Sequence, residues 1–247
     1  MILARITRAL REQNWFAVSL EFVIVILGVV IGFQITAWNE ARTAVALEQI
    51  YLERLHDDMA RSRAVLEAEI ANSREWHEDG DAIRIALLTG DRETAGTGWQ
   101  LNAATRLVVG SPQMGTLNEL ISGGQMNLIR DPDLRRRIAQ TDAQLRSYAD
   151  YIALMSNTAP PFMYTIQSRL ETGTGGAEDV HFDFDALAAD EEFLNAFGHM
   201  LRLSSVNRYW LEGMLTEVNE LEAILTDTLD IEAAIAPADA PEEMVAE

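Results

Sequence analysis

The sequence predicts an all-α protein, with one N-terminal transmembrane helix continuing into a long stalk helix and then an exported antiparallel helical bundle. Three observations carry that prediction. An apolar run between Trp15 and Trp38 has no charged residue from Phe22 to Asn39. From Trp38 to Asp79 neither proline nor glycine interrupts a helical spacing of apolar residues. Alternation of the kind a strand needs is confined to a few residues around Val180.

The span comes first because it decides how everything after it is read. At about 1.5 Å of rise per residue the segment between the tryptophans is roughly 35 Å long, enough to cross a hydrocarbon core of about 30 Å. The bilayer is thus the first partner, with Trp15 and Trp38 as interface anchors. A basic start before an apolar run is also the layout of a signal peptide, but the run exceeds an h-region of about 7 to 15 residues and no small-x-small site closes it. We therefore expect an uncleaved anchor over residues 15–39. Residues 1–14 place Ile2, Leu3, Ile6 and Leu10 at helical spacing between arginines, as in a short amphipathic segment lying on the cytoplasmic headgroups.

Charge sets the orientation. Arg5, Arg8 and Arg11 against Glu12 leave +2 ahead of the span, Glu21 contributes -1, and the rest carries -21 of a formal net charge of -20. Arginines beside a span mark the cytoplasmic side, so the N-terminus should stay inside and the acidic part should be exported, into the periplasm of a bacterial inner membrane. So acidic a domain repels phosphate backbones, which argues against nucleic acid. With no cysteine, neither a disulfide framework nor a thiolate metal site is available.

On the span, taking 100° per residue from Glu21, Gly28 falls near about -20°, Gly32 near +20°, Thr36 near +60° and Asn39 near 0°. Glu21, Gly28, Gly32, Thr36 and Asn39 thus share a side, and the GxxxG spacing lets a second helix approach closely. A protein partner or a second copy of the chain is expected there.

The exported α-helical domain is placed at residues 40–235. Leu47, Tyr51, Leu55, Met59, Leu66 and Ile70 form the apolar stripe of the stalk, which Gly80 is expected to end; a short helix over Asp81 to Thr89 and a polar loop to Gly98 follow. Trp99 to Val109 reads as helix by default. Thr116 with Glu119 reads as a capping box whose helix closes in a left-handed turn at Gly123 and Gly124. Asp131 with Pro132 reads as a cap with proline at the first helical position, opening a helix to about Thr158 that Pro160 and Pro161 stop. A helix over Phe162 to Leu170 and a glycine-rich loop over Thr172 to Asp179 come next, and the alternation of apolar and acidic residues over Val180 to Asp185 leaves room for a short extended piece. Asp190 caps a last helix whose stripe runs from Phe193 to Leu225 and can pack on the stalk. Residues 236–247, with two prolines and four acids, read as a disordered acidic tail.

Two blocks carry a resemblance. Leu20 to Arg42, with Glu21, Phe33-Gln34-Ile35, Trp38-Asn39-Glu40 and Arg42, resembles the N-terminal signature of a family of single-span bacterial membrane proteins of unknown function. Thr116, Glu119, Leu120, Ser122, Gly123, Leu128, Ile129, Asp131, Leu134 and Arg135 follow the same family's pattern, with Leu117 where an aromatic is usual. The resemblance implies a membrane anchor with an α-helical exported domain and supplies no activity.

No catalytic or cofactor signature is present in the chain. His56, His77, His181 and His199 lack the spacing of a metal site, Ser204 and Ser205 lack a nucleophile elbow, and Gly173, Gly175 and Gly176 lack the strand and lysine of a phosphate loop. The expected function is that of a membrane-anchored interaction or scaffold protein without catalysis or cofactor. The alternative is a periplasmic ligand-sensing helical module relaying through a partner. The orientation has a direct check: a reporter active only in the cytoplasm, fused after Glu247, should be silent, and strong activity there would reverse the assignment.

Overall fold

The computed structural model describes residues 15–175 and 179–235, with side chains for 19–175 and 179–230. The segment expected to be amphipathic at 1–14, the expected acidic tail at 236–247, the centre of the glycine-rich loop at 176–178 and the side chain of Trp15 lie outside the described residues. The chain is all-α: α1 (Trp15–Thr89), α2 (Gly98–Ala104), α3 (Gly115–Ser122), a 3-10 turn (Gln125–Leu128), α4 (Pro132–Thr158), α5 (Pro160–Gln167), α6 (Phe184–Ala188) and α7 (Glu191–Ile235). The single extended feature among the described residues is a two-residue antiparallel pair, β1 (Glu171–Thr172) with β2 (Val180–His181), in the register Glu171 to His181 and Thr172 to Val180. Of the alternating stretch Val180 to Asp185, only Val180 and His181 are extended, and Phe184 and Asp185 belong to α6.

Two compact units divide within α1, between Ile50 and Tyr51. In the first, α1 is a lone apolar helix. Its most apolar stretch has a mean hydropathy of 2.3 against -0.03 for the whole chain, and none of that stretch is buried. A core helix of a soluble protein would be covered, so one helix near the N-terminus is long and apolar enough to span a membrane.

In the second unit α1, α4 and α7 are the long elements. Contacts descend α7 as they ascend α1: Gly80 meets Leu201, Arg74 pairs with Glu212, and Arg63 with Glu222. The two are antiparallel. The same holds for α4 and α7, from Arg137 with Glu217 to Tyr151 stacked on Trp210. One apolar cluster joins Leu52, Leu55, Met59 and Leu66 of α1 to Ile138 and Leu145 of α4 and to Leu211, Met214, Val218 and Leu221 of α7. A second, at the other end, joins Ile83 and Leu87 to Leu101 of α2, Ile166 of α5, Leu187 of α6 and Phe193, Phe197 and Met200 of α7. The stripe foreseen on α7 is therefore buried, but it serves two cores. Between them lie buried Ser73, Ser204 and Asn207.

Several local expectations are corrected. Leu47 is exposed and the buried stripe begins at Tyr51 with Leu52 added. Gly80 does not end the helix: α1 runs through it to Thr89, because a Cβ there would sit 2.4 Å from Leu201 Cδ2 and 2.7 Å from Ala104 Cβ. The glycine is required by helix contact rather than by a turn. The helix expected over Trp99 to Val109 ends at Ala104, as Arg106 is drawn between the rings of Trp76 and Trp99, its guanidinium carbon 5.5 and 4.6 Å from their centroids. Its start is a capping box not foreseen, with Gln100 N donating to Thr97 Oγ1 and Thr97 N donating to Gln100 Oε1.

Thr116 and Glu119 do not form the expected capping box. The cap position is Met114, with no side-chain cap bond, and Thr116 N donates instead to Asp58 Oδ2 of α1 at 3.0 Å. A tertiary carboxylate thus satisfies an orphan N–H at the helix start. After α3, Gly123 is right-handed (φ -77°) and Gly124 alone is left-handed (φ 71°). Asp131 Oδ1 accepts from Asp133 N and Leu134 N with Pro132 first in α4, as expected. Asp190 Oδ1 accepts from Phe193 N and caps α7. The five-residue α6, capped by Asp183, is additional.

These assignments separate two glycine roles. Gly124→Ala should cost about 1 kcal/mol through its positive φ, and Gly80→Val about 1 to 3 kcal/mol through overpacking. Thermal melts of the full chain in detergent should show both losses; a wild-type melt for either variant would remove the role given to that glycine.

Candidate functional site

The side chains expected to act on the span are all exposed. Glu21, Gly28, Gly32, Thr36 and Asn39 are open, and a Cβ built at Gly28 or Gly32 meets no atom within 4 Å. Thr36 Oγ1 donates to Gly32 O at 3.1 Å, so its hydroxyl is satisfied within the helix and leaves a smooth surface beside the glycines. Trp38 is 65% exposed, with the Arg42 guanidinium 5.8 Å from its ring centre. An amphipathic ring beside a cation suits a water–lipid boundary.

In the second unit Glu119 is a junction. Its Oε1 accepts from the Tyr51 hydroxyl and its Oε2 from Arg54 Nη2, each at 2.6 Å, which ties α3 to α1. The Tyr51 hydrogen bond, and after it that from Arg54, holds the Glu119 carboxyl below the usual range, while the same bond to Glu119 raises the Tyr51 hydroxyl. This is a structural clasp. Thr116, whose N–H is taken by Asp58, and the turn and cap residues Gly123, Gly124, Asp131 and Pro132 flank it.

A second locus is aromatic. Trp210 stacks on Tyr151 at 4.6 Å between centroids, meets Tyr209 edge-on at 5.0 Å and lies 6.0 Å from Tyr148. Tyr209 is 65% and Tyr151 45% exposed, and Tyr148, Tyr209 and Trp210 border a pocket with Glu212 and Thr216. Aromatic groups with one wet face are the residues that most often anchor protein contacts.

The third locus is a cleft of about 450 Å³ between α1 and the first turns of α7. His77, Asp81 and Arg84 line one side; Asn195, His199 and Arg202 line the other, with Leu194, Gly198 and Leu201 below. His77 Nε2 lies 3.5 Å from Asp81 Oδ2. The His199 ring stacks on Phe162 at 4.8 Å, which fixes its plane. Spacing within one helix could not reveal this site, since two histidines more than a hundred positions apart meet only after α1 and α7 pair. No group of three or more histidine, cysteine or acidic side chains arranged to hold a metal ion occurs among the described residues.

Compared with protein-family models, curated proteins and solved structures, the chain has no match.

The Glu119 clasp has a definite pH signature. A carboxyl whose folded pKa lies below the unfolded value of about 4.3 contributes stability that is present above that value and lost as pH falls through the folded one. Wild type should therefore outlast Glu119→Gln at pH 7, with the difference in melting temperature closing as pH falls below about 4. A pH-independent difference would show that the charge contributes nothing.

Proposed function

We propose that the protein is a single-pass, membrane-anchored interaction protein, of the kind its two sequence blocks resemble, with its N-terminus in the cytoplasm and its acidic helical domain in the periplasm. The observation that carries the reading is the aromatic group around Trp210, in which Tyr151 and Tyr209 are exposed while Tyr148 and Trp210 back them from the core. It offers a desolvatable anchor on a strongly acidic chain, which suits a partner surface bearing arginine or lysine. The span adds a second contact through Gly28 and Gly32, where small residues permit backbone approach. The protein carries out no chemistry of its own in this reading; it localises or assembles a partner at the inner membrane.

Ligand sensing is the second reading, and the cleft between α1 and α7 favours it. Polar groups converging from two long helices on one cleft can orient a small molecule.

Photo-crosslinking in membranes tests the first reading. Benzoylphenylalanine at Tyr209 should give a discrete protein adduct and the same group at exposed Glu93 should not. Replacing Gly28 and Gly32 by isoleucine should reduce that adduct severalfold. Loss of the Tyr209 adduct in every background would end the docking reading for the aromatic face, and an adduct unchanged by the glycine replacements would remove the span face from assembly.

A further inference from the structure

We propose that the cleft lined by His77, Arg84, His199 and Arg202 is a binding site for a small soluble organic anion, one bearing a carboxylate or phosphate group. The inference deepens the ligand-sensing reading by naming the ligand class, yet binding can be measured whether or not any signal is relayed.

Arginine pairing is the first argument. The chain has 39 acidic residues and 19 basic ones, so a guanidinium finds a carboxylate easily. Arg54, Arg61, Arg63, Arg74, Arg92, Arg136, Arg137, Arg146 and Arg169 each do so. Arg84 and Arg202, like Arg42, Arg106, Arg135 and Arg208, make no ion pair among the described residues, and these two open on the same cleft. The two guanidiniums come from different helices and line one cleft, where together they can hold an anion between them.

Donor geometry is the second. Arg84 carries a planar fork of donors suited to carboxylate or phosphate oxygens. The third argument is that the site is shaped. Gly198 lies under Arg84, where a Cβ would come within 3.1 Å of Nε, so the glycine makes room for the guanidinium. Phe162 holds His199 flat, and Asn195 adds an amide on the same wall. Asp81, the one carboxylate in the lining, lies 3.5 Å from His77 Nε2. The volume of about 450 Å³ is that of a small-molecule site, too large for a lone chloride.

Citrate and inorganic phosphate are the probes, titrated by calorimetry and thermal shift into the full chain in uncharged detergent. One saturable site per chain is expected for at least one of them. Arg202→Gln, an exposed position whose replacement leaves the fold intact, should weaken it tenfold or more. Arg84→Lys, which keeps the charge and loses the fork, should weaken it by a smaller factor, and Arg135→Gln, remote from the cleft, should leave it unchanged. Melting without ligand confirms that each variant is folded. The proposal is overturned by no saturable binding of either probe at 10 mM, by equal affinity in wild type and Arg202→Gln, or by a response to phosphatidylglycerol vesicles with none to the soluble probes.

Discussion

Helix α7 touches α1 on one side and α4 on the other, and the burial of its apolar stripe is the interaction on which the extramembrane unit depends. Leu211, Met214, Val218 and Leu221 at one end and Phe193, Phe197 and Met200 at the other are all closed to solvent. Each such side chain contributes about 1.5 to 3 kcal/mol on leaving water. Short elements then find their places by closing what the long helices leave open. Helix α3 covers the cluster near Tyr51, while α2, α5 and α6 close the one near Phe197.

What the sequence made legible follows from this division. The long helices were readable because burial of a stripe imposes a 3.6-residue period that chance rarely sustains over forty residues. Asp131-Pro132 and Asp190 were readable because a cap acts on its own neighbours. Gly80 was misread, since a glycine that admits a neighbouring helix and a glycine that ends one look alike locally. Thr116 and Glu119 had the spacing of a capping box, but Asp58, Tyr51 and Arg54, some sixty positions earlier, offered stronger partners. The aromatic group and the cleft were invisible for the same reason: each joins residues that only the α1–α7 and α4–α7 pairings bring together.

Arginine, the only basic residue type in the chain besides histidine, does much of the joining. Arg63 and Arg137 reach carboxylates on α7 from α1 and α4, and Arg169 bridges Asp190 and Glu192 at the start of α7. Arg106 instead lies between two indoles and fixes the chain where α2 gives way to an extended segment. Exposed ion pairs are individually weak, and their value here lies in selecting which helix faces meet.

The contact at Gly80 has a mechanical meaning. A slide of α7 along α1 by one turn, about 5.4 Å, would withdraw Leu201 from the notch that Gly80 leaves for it and press it against a residue with a side chain, since no other glycine lies within a turn of Gly80 on α1. The pair therefore behaves as a keyed joint and not as a piston: a force applied along α1 meets resistance at this contact before the helices can slide.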